Sequence, residues 1–129
     1  MTALARHVLA EYYGCDPAIL DDPDFLRPII EEAVRAAGAE VIKTSLHQFK
    51  PQGVSGVVLL AESHLAVHTW PEHGFAAVEI FTCGTEPEPE AGHRYLLEQL
   101  KPAYHTVRAL ERGDMDTIER INSGQAAAG

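Results

Sequence analysis

Two connections of four or five residues constrain this chain more than any other feature. Lys50-Pro-Gln-Gly53 and Trp70-Pro-Glu-His-Gly74 each join extended, apolar segments, and each carries proline and glycine where a chain reverses. Links this short join antiparallel neighbours, because a parallel crossover takes a dozen residues or more. Around them, residues 40–49 read as a strand and Val54–Ala61 as a third strand, with Val57, Val58, Leu59 and Leu60 too apolar for an exposed edge. Leu65–Thr69 resumes extended structure, and Phe75–Thr82 returns as the next strand. Residues 3–13 read as the first strand and Ala103–Leu110 as the last.

Two helices interrupt this series. Asp21-Asp-Pro-Asp-Phe carries helix-start chemistry, with short acids that cap and prolines tolerated in the first turn. Ile29, Ile30, Ala33, Val34 and Ala37 follow at helical spacing, and Gly38 is a natural stop. A second helix is expected over about 90–101, burying Tyr95, Leu96 and Leu100. The order strand–helix–strand–strand–strand–helix–strand predicts an α+β fold: a two-layer sandwich of a mainly antiparallel sheet with two helices on one face.

With 129 residues, the chain is long enough for a single domain, residues 1–129, with residues 121–129 expected to be a mobile tail. A net charge of −9 argues against nucleic acid as the main partner, since phosphate binding needs a basic face. The charge suits a cationic small substrate, but a solvated acidic surface accounts for it more simply. No apolar run spans a bilayer, so no membrane partner is expected. The N-terminal residues lack a secretory pattern, which predicts a cytoplasmic protein with Cys15 and Cys83 as reduced thiols.

The polar chemistry lies between Gly53 and Gly84. Glu62-Ser63-His64 follows directly on an apolar strand, His68 comes four residues later, and Cys83 closes the next strand. Each residue has an ordinary structural use. The triplet has turn composition, a histidine in a strand is commonly half-buried and hydrogen-bonded, and a cysteine at a strand end is a small apolar side chain. Metal binding is poorly served by His64 and His68, because four residues of strand rise about 13 Å. Two ligands of one zinc cannot lie so far apart. Ser63 lacks the glycine-flanked elbow of a common hydrolase class. Cys83 and His68 stay open as a nucleophile and base brought together in space.

Taken together, the short motifs carry more than any one of them. Gly53-Val-Ser-Gly56, Glu62-Ser-His64, His68-Thr-Trp-Pro-Glu72 and Phe81-Thr-Cys-Gly84 occur in this order. In order and spacing they resemble the processing and active-site region of the bacterial and archaeal S-adenosylmethionine decarboxylases. The likeness extends upstream through Glu11-Tyr-Tyr-Gly-Cys-Asp16 and His47-Gln-Phe49. Beyond residue 84 it rests on length and pattern alone.

The resemblance implies a proenzyme that cuts itself between Glu62 and Ser63, giving chains 1–62 and 63–129. Ser63 Oγ would attack the Glu62 carbonyl and turn the amide into an ester. His68 would be the base for the following elimination, with Ser55 supporting processing, and Ser63 would become a pyruvoyl cofactor. That cofactor would form a Schiff base with the substrate amine and accept the electrons released as carbon dioxide leaves. Cys83 would return the proton. By the same resemblance Phe49 stacks on adenine, Glu72 binds the ribose hydroxyls and Glu11 lines the site. Small members of the family act as homodimers of cleaved pairs with sites at the interface. Glu79 stands where the resemblance leads one to expect aspartate.

The implied activity is decarboxylation of S-adenosylmethionine, supplying aminopropyl groups for spermidine synthesis. One alternative is a pyruvoyl-dependent arginine or ornithine decarboxylase on the same fold, since the cofactor would serve any well-placed α-amino acid. Another is a non-enzymatic regulatory subunit, which the presence of both Ser63 and Cys83 disfavours.

Overall fold

A computed structural model describes residues 2–124. The elements run β1 (Ala3–Tyr13), α1 (Pro17–Leu20), α2 (Pro23–Ala36), β2 (Glu40–Gln48), β3 (Val54–Ala61), β4 (Ser63–Trp70), β5 (Phe75–Cys83), α3 (Pro89–Leu100), β6 (Tyr104–Asp114) and α4 (Met115–Asn122). The strands form one sheet in the order β2-β3-β4-β5-β1-β6, and every neighbouring pair is antiparallel. Both short connections therefore act as the sequence predicts.

α2 begins where its sequence says it should. The Asp22 carboxylate accepts from the backbone N–H groups of Asp24 and Phe25, satisfying donors the first turn leaves open. Strand alternation then supplies the core. Ala10 and Tyr12 of β1, Val54 and Val58 of β3, Leu65 and Val67 of β4, and Ala76, Val78 and Ile80 of β5 all point to one face. There they meet Leu26, Ile30, Ala33 and Val34 of α2 and Leu96 and Leu100 of α3. Burying each large aliphatic side chain contributes roughly 1.5–3 kcal/mol. Among the described residues, no helix is long and apolar enough to cross a membrane.

Three expectations need correction. The extended length over 54–69 is two strands, because the chain reverses so tightly that Leu60 pairs with Ser63. The polar triplet Glu62-Ser63-His64 marks that reversal, and extended sequence resumes so soon after it that the two strands read as one length. α3 buries Gly92 and His93 beside Leu96 and Leu100, while Tyr95 is only half-buried. Finally, β6 continues to Asp114, and Ile121 and Asn122 belong to α4, not to a tail. α4 buries none of its residues, though Met115, Ile118 and Ile121 recur at helical spacing; the Asp114 side chain starts it by accepting from the Thr117 amide at 3.0 Å. Residues 125–129 of the expected tail lie outside the described residues.

Candidate active site

The alternate residues of the central strands face away from α2 and α3, and they carry Glu11, Ser55, His64, His68 and Glu79. One lateral row is set by register: Ser55 on β3 pairs with His68 on β4, His68 with Ala77 on β5, and Ala77 with Glu11 on β1. Ser55 Oγ and His68 Nδ1 are 2.8 Å apart. Glu11 accepts from the Tyr13 hydroxyl at 2.9 Å and the Thr106 hydroxyl at 3.3 Å. Leu9, Glu11, His68, Ala77 and Glu79 line a hollow of about 200 Å³.

Phe49 and Glu72 lie in the turns at this same end of the sheet. The Phe49 amide donates to the Gly53 carbonyl at 2.7 Å, and its exposed ring meets His47 edge-on with centroids 4.7 Å apart. Glu72 is exposed in a single 3₁₀ turn, Pro71–His73. Buried Thr69 and half-buried Asp21 tie these turns to the helical layer. Thr69 donates its hydroxyl to the Leu20 carbonyl at 2.8 Å and accepts from the Val54 amide at 2.9 Å. Asp21 accepts from the Gly53 amide at 2.8 Å.

A second group gathers at the opposite end of β4. The Glu62 carbonyl accepts from the Cys83 amide at 2.9 Å. Ser63 Oγ lies 3.2 Å from His64 Nδ1, and His64 Nε2 lies 2.7 Å from a Glu79 carboxylate oxygen. The other Glu79 oxygen is 3.4 Å from His7 Nε2, and His7 Nδ1 is 3.0 Å from the Arg112 guanidinium. The His64 ring stacks on Phe81 at 5.7 Å with 13° between planes, and Arg112 sits 5.6 Å from the same Phe81 ring. The hydrogen bond from His64 holds the Glu79 carboxyl below the usual carboxylate range, and nearby His7 acts in the same direction. Cys83 is a half-buried free thiol at this end. Cys15 is different: it is buried in the core from the β1–α1 link, and burial pushes its thiol up to about 11, so it is a packing residue.

The structure thus joins Glu62, Ser63 and Cys83 in one group, and Ser55, His68 and Glu11 in another, with Phe49 and Glu72 in turns at the second group's end. Within one chain the two groups stay apart, since five residues of β4 separate Ser63 from His68, about 17 Å of strand. Cys83 is farther still, six residues along β5 from the partner of His68. A Cys83–His68 nucleophile and base is therefore not formed within one chain. His64, Glu79, His7 and Arg112 are the participants that sequence reasoning left aside. Alternation places His64 with His68 on one face of β4, but the Glu79 contact becomes visible only once β4 and β5 are in register.

The model of the S-adenosylmethionine decarboxylase family matches residues 6–113. An S-adenosylmethionine decarboxylase proenzyme of Acetivibrio thermocellus is 51% identical over 113 residues, covering 88% of this chain and 91% of its own. One from Moorella thermoacetica is 52% identical, covering 88% and 90%. The crystal structure of the adenosylmethionine decarboxylase from Aquifex aeolicus superposes with a TM-score of 0.81 at 40% identity, covering 88% of this chain and 93% of that one. A Trypanosoma brucei AdoMetDC monomer shares the fold, with a TM-score of 0.63 at 17% identity over 95% of this chain and 52% of its own. With its fold and its relatives in agreement over most of its length, this chain belongs to the S-adenosylmethionine decarboxylase family.

Proposed function

We propose that this protein is a proenzyme that cuts itself between Glu62 and Ser63 and then decarboxylates S-adenosylmethionine. One observation carries the reading: the Glu62 carbonyl, the group Ser63 would attack, already accepts a hydrogen bond from the Cys83 amide at 2.9 Å. As the hydroxyl adds, negative charge develops on that oxygen, and a fixed N–H aimed at it lowers the barrier. The tight reversal holds Ser63 directly after the acyl group it must accept. These residues fit a pyruvoyl group generated from Ser63, which serves as an electron sink when carbon dioxide leaves an amino acid bound through its amine.

The chain's own residues then have distinct tasks. Ser55 holds His68 by its Nδ1, which fixes the ring that takes the serine α-proton during processing. The Cys83 thiol, half-buried at the Ser63 end, returns a proton to the substrate carbon. Phe49 stacks on adenine, Glu72 accepts from the ribose hydroxyls and Glu11 closes the side of the hollow. Because one chain separates Ser63 from His68, a homodimer completes each site, with Ser63 and Cys83 from one copy and Ser55, His68, Phe49 and Glu72 from the other. We place the reaction in the cytoplasm. The names of the relatives favour S-adenosylmethionine over arginine or ornithine as substrate, and offer no support for a regulatory subunit.

Denaturing mass spectrometry joined to a carbon dioxide release assay tests this. The wild type should give chains 1–62 and 63–129, together heavier than the precursor by one water and lighter by one ammonia. Ser63→Ala should stay whole and inactive, whereas Cys83→Ala should cut normally but turn over poorly. A wild type that remains one 14.1 kDa chain overturns the reading. Cutting with release from arginine or ornithine alone would replace the substrate and leave the processing intact.

A further inference from the structure

We propose that His64 is the catalytic acid–base of the first processing step, with Glu79 as the residue that positions it. This rests on self-cleavage at Ser63. His68 lies about 17 Å of strand away in the same chain, reaches Ser63 only from the other copy, and is assigned to the later removal of the α-proton. His64, by contrast, lies within its own chain 3.2 Å from the reacting oxygen. The tautomer follows from the partners. An ionised carboxylate can only accept, so His64 Nε2 carries the proton that Glu79 receives at 2.7 Å. Nδ1 is left with a free lone pair facing the Ser63 hydroxyl. Stacking on Phe81 fixes the ring plane.

The step balances without any further reactant. The Ser63 hydroxyl proton passes to His64 Nδ1 as Oγ bonds to the Glu62 carbonyl carbon. The resulting oxyanion stays on the Cys83 amide. Protonated His64 then gives the proton to the Ser63 nitrogen, the carbon–nitrogen bond breaks, and an ester with a free amine remains. The carboxylate beside His64 supports the transient imidazolium, as in serine–histidine–acid systems.

The test follows cutting of freshly made precursor. His64→Ala should slow cutting about 100-fold, the low end for a lost proton carrier. It should stall before the ester, so hydroxylamine should not cleave it, whereas hydroxylamine should cleave His68→Ala. Added imidazole should restore cutting to His64→Ala, since the His64 side chain is 31% exposed and the vacated space is reachable. Glu79→Gln should slow cutting about tenfold and move its pH midpoint downward, while Glu79→Asp, which keeps the charge, should cut near the wild-type rate. The groups able to influence that midpoint are Glu79 on β5, His7 on β1 and Arg112 on β6. An uncut wild type overturns both this assignment and the processing reading. A cut wild type with His64→Ala cutting equally fast overturns only this assignment. If His64→Ala fails to fold, a Glu79→Gln protein that cuts with an unchanged pH profile overturns it as well.

Discussion

Tyr12 and His93 link the core to pH through one hydrogen bond. Tyr12 is fully buried, and its hydroxyl lies 2.7 Å from His93 Nδ1. Burial raises the Tyr12 phenol far above its ordinary range, so it remains a neutral donor. Burial, and after it the neighbouring His105 and Arg94, holds His93 below the usual histidine range. The unfolded chain therefore takes up a proton here more readily than the folded one. Stability from this site is complete above the unfolded value near 6.5, and it declines as pH falls through that value. The wild type should melt at a lower temperature at about pH 5.5 than at about pH 7.5, and His93→Gln should narrow that difference. Thermal scans of both proteins at the two pH values measure it. Neither partner stood out in the sequence, because nothing in the spacing of Tyr12 and His93 hints that a strand and a helix 81 residues apart will meet. Ser63, His68 and Cys83 were singled out for a different reason: they sit in short motifs whose order and spacing resemble those of a known family.

α2 and α3 approach each other over Gly92. Glycine inside an exposed helix costs about 1 kcal/mol relative to alanine, so Gly92→Ala would ordinarily stabilise α3. Here an added Cβ would lie 2.8 Å from the Ala33 carbonyl oxygen and 3.0 Å from Ile80 Cδ1. The first of these is backbone and cannot step aside without moving α2. Steric cost should win, and Gly92→Ala should lose about 1–3 kcal/mol in urea unfolding. Elements with a face to bury were readable from their period: β1, α2, β2, β3 and α3 were expected within a residue or two of where they stand. The misreadings fall outside that set. α4 packs on nothing in the core although Met115, Ile118 and Ile121 recur at helical spacing, and the β3–β4 reversal takes only the polar Glu62-Ser63-His64 triplet before extended sequence resumes.

For the whole molecule, the separation of Ser63 from His68 makes a quantitative demand. If each site draws on two copies, Ser63→Ala and His68→Ala damage different halves of it. Co-expressed, the two variants should form mixed dimers in which one of two sites has both residues intact. Random pairing should then cut roughly a quarter of the sites, while each variant alone stays uncut. Mass spectrometry of the mixture reads that fraction directly, and a mixture as inert as its parents removes the two-copy site.

The strand order has a consequence for the life of the cut protein. Residues 1–62 supply β1, β2 and β3, and residues 63–129 supply β4, β5 and β6, yet β1 lies between β5 and β6. Three of the five strand seams (β3–β4, β5–β1 and β1–β6) would then run between separate polypeptides. The pieces should stay locked together, in an arrangement the mature protein inherits from its continuous precursor. Unfolded in urea and diluted, each uncut Ser63→Ala chain should fold at a rate independent of concentration, before any pairing of copies. The cut wild type should recover more slowly as it is diluted, because its halves must first find each other. Equal recovery at every concentration would show that the seams carry no such history. Otherwise the single covalent bond lost at Glu62 makes unfolding, in dilute solution, a one-way event.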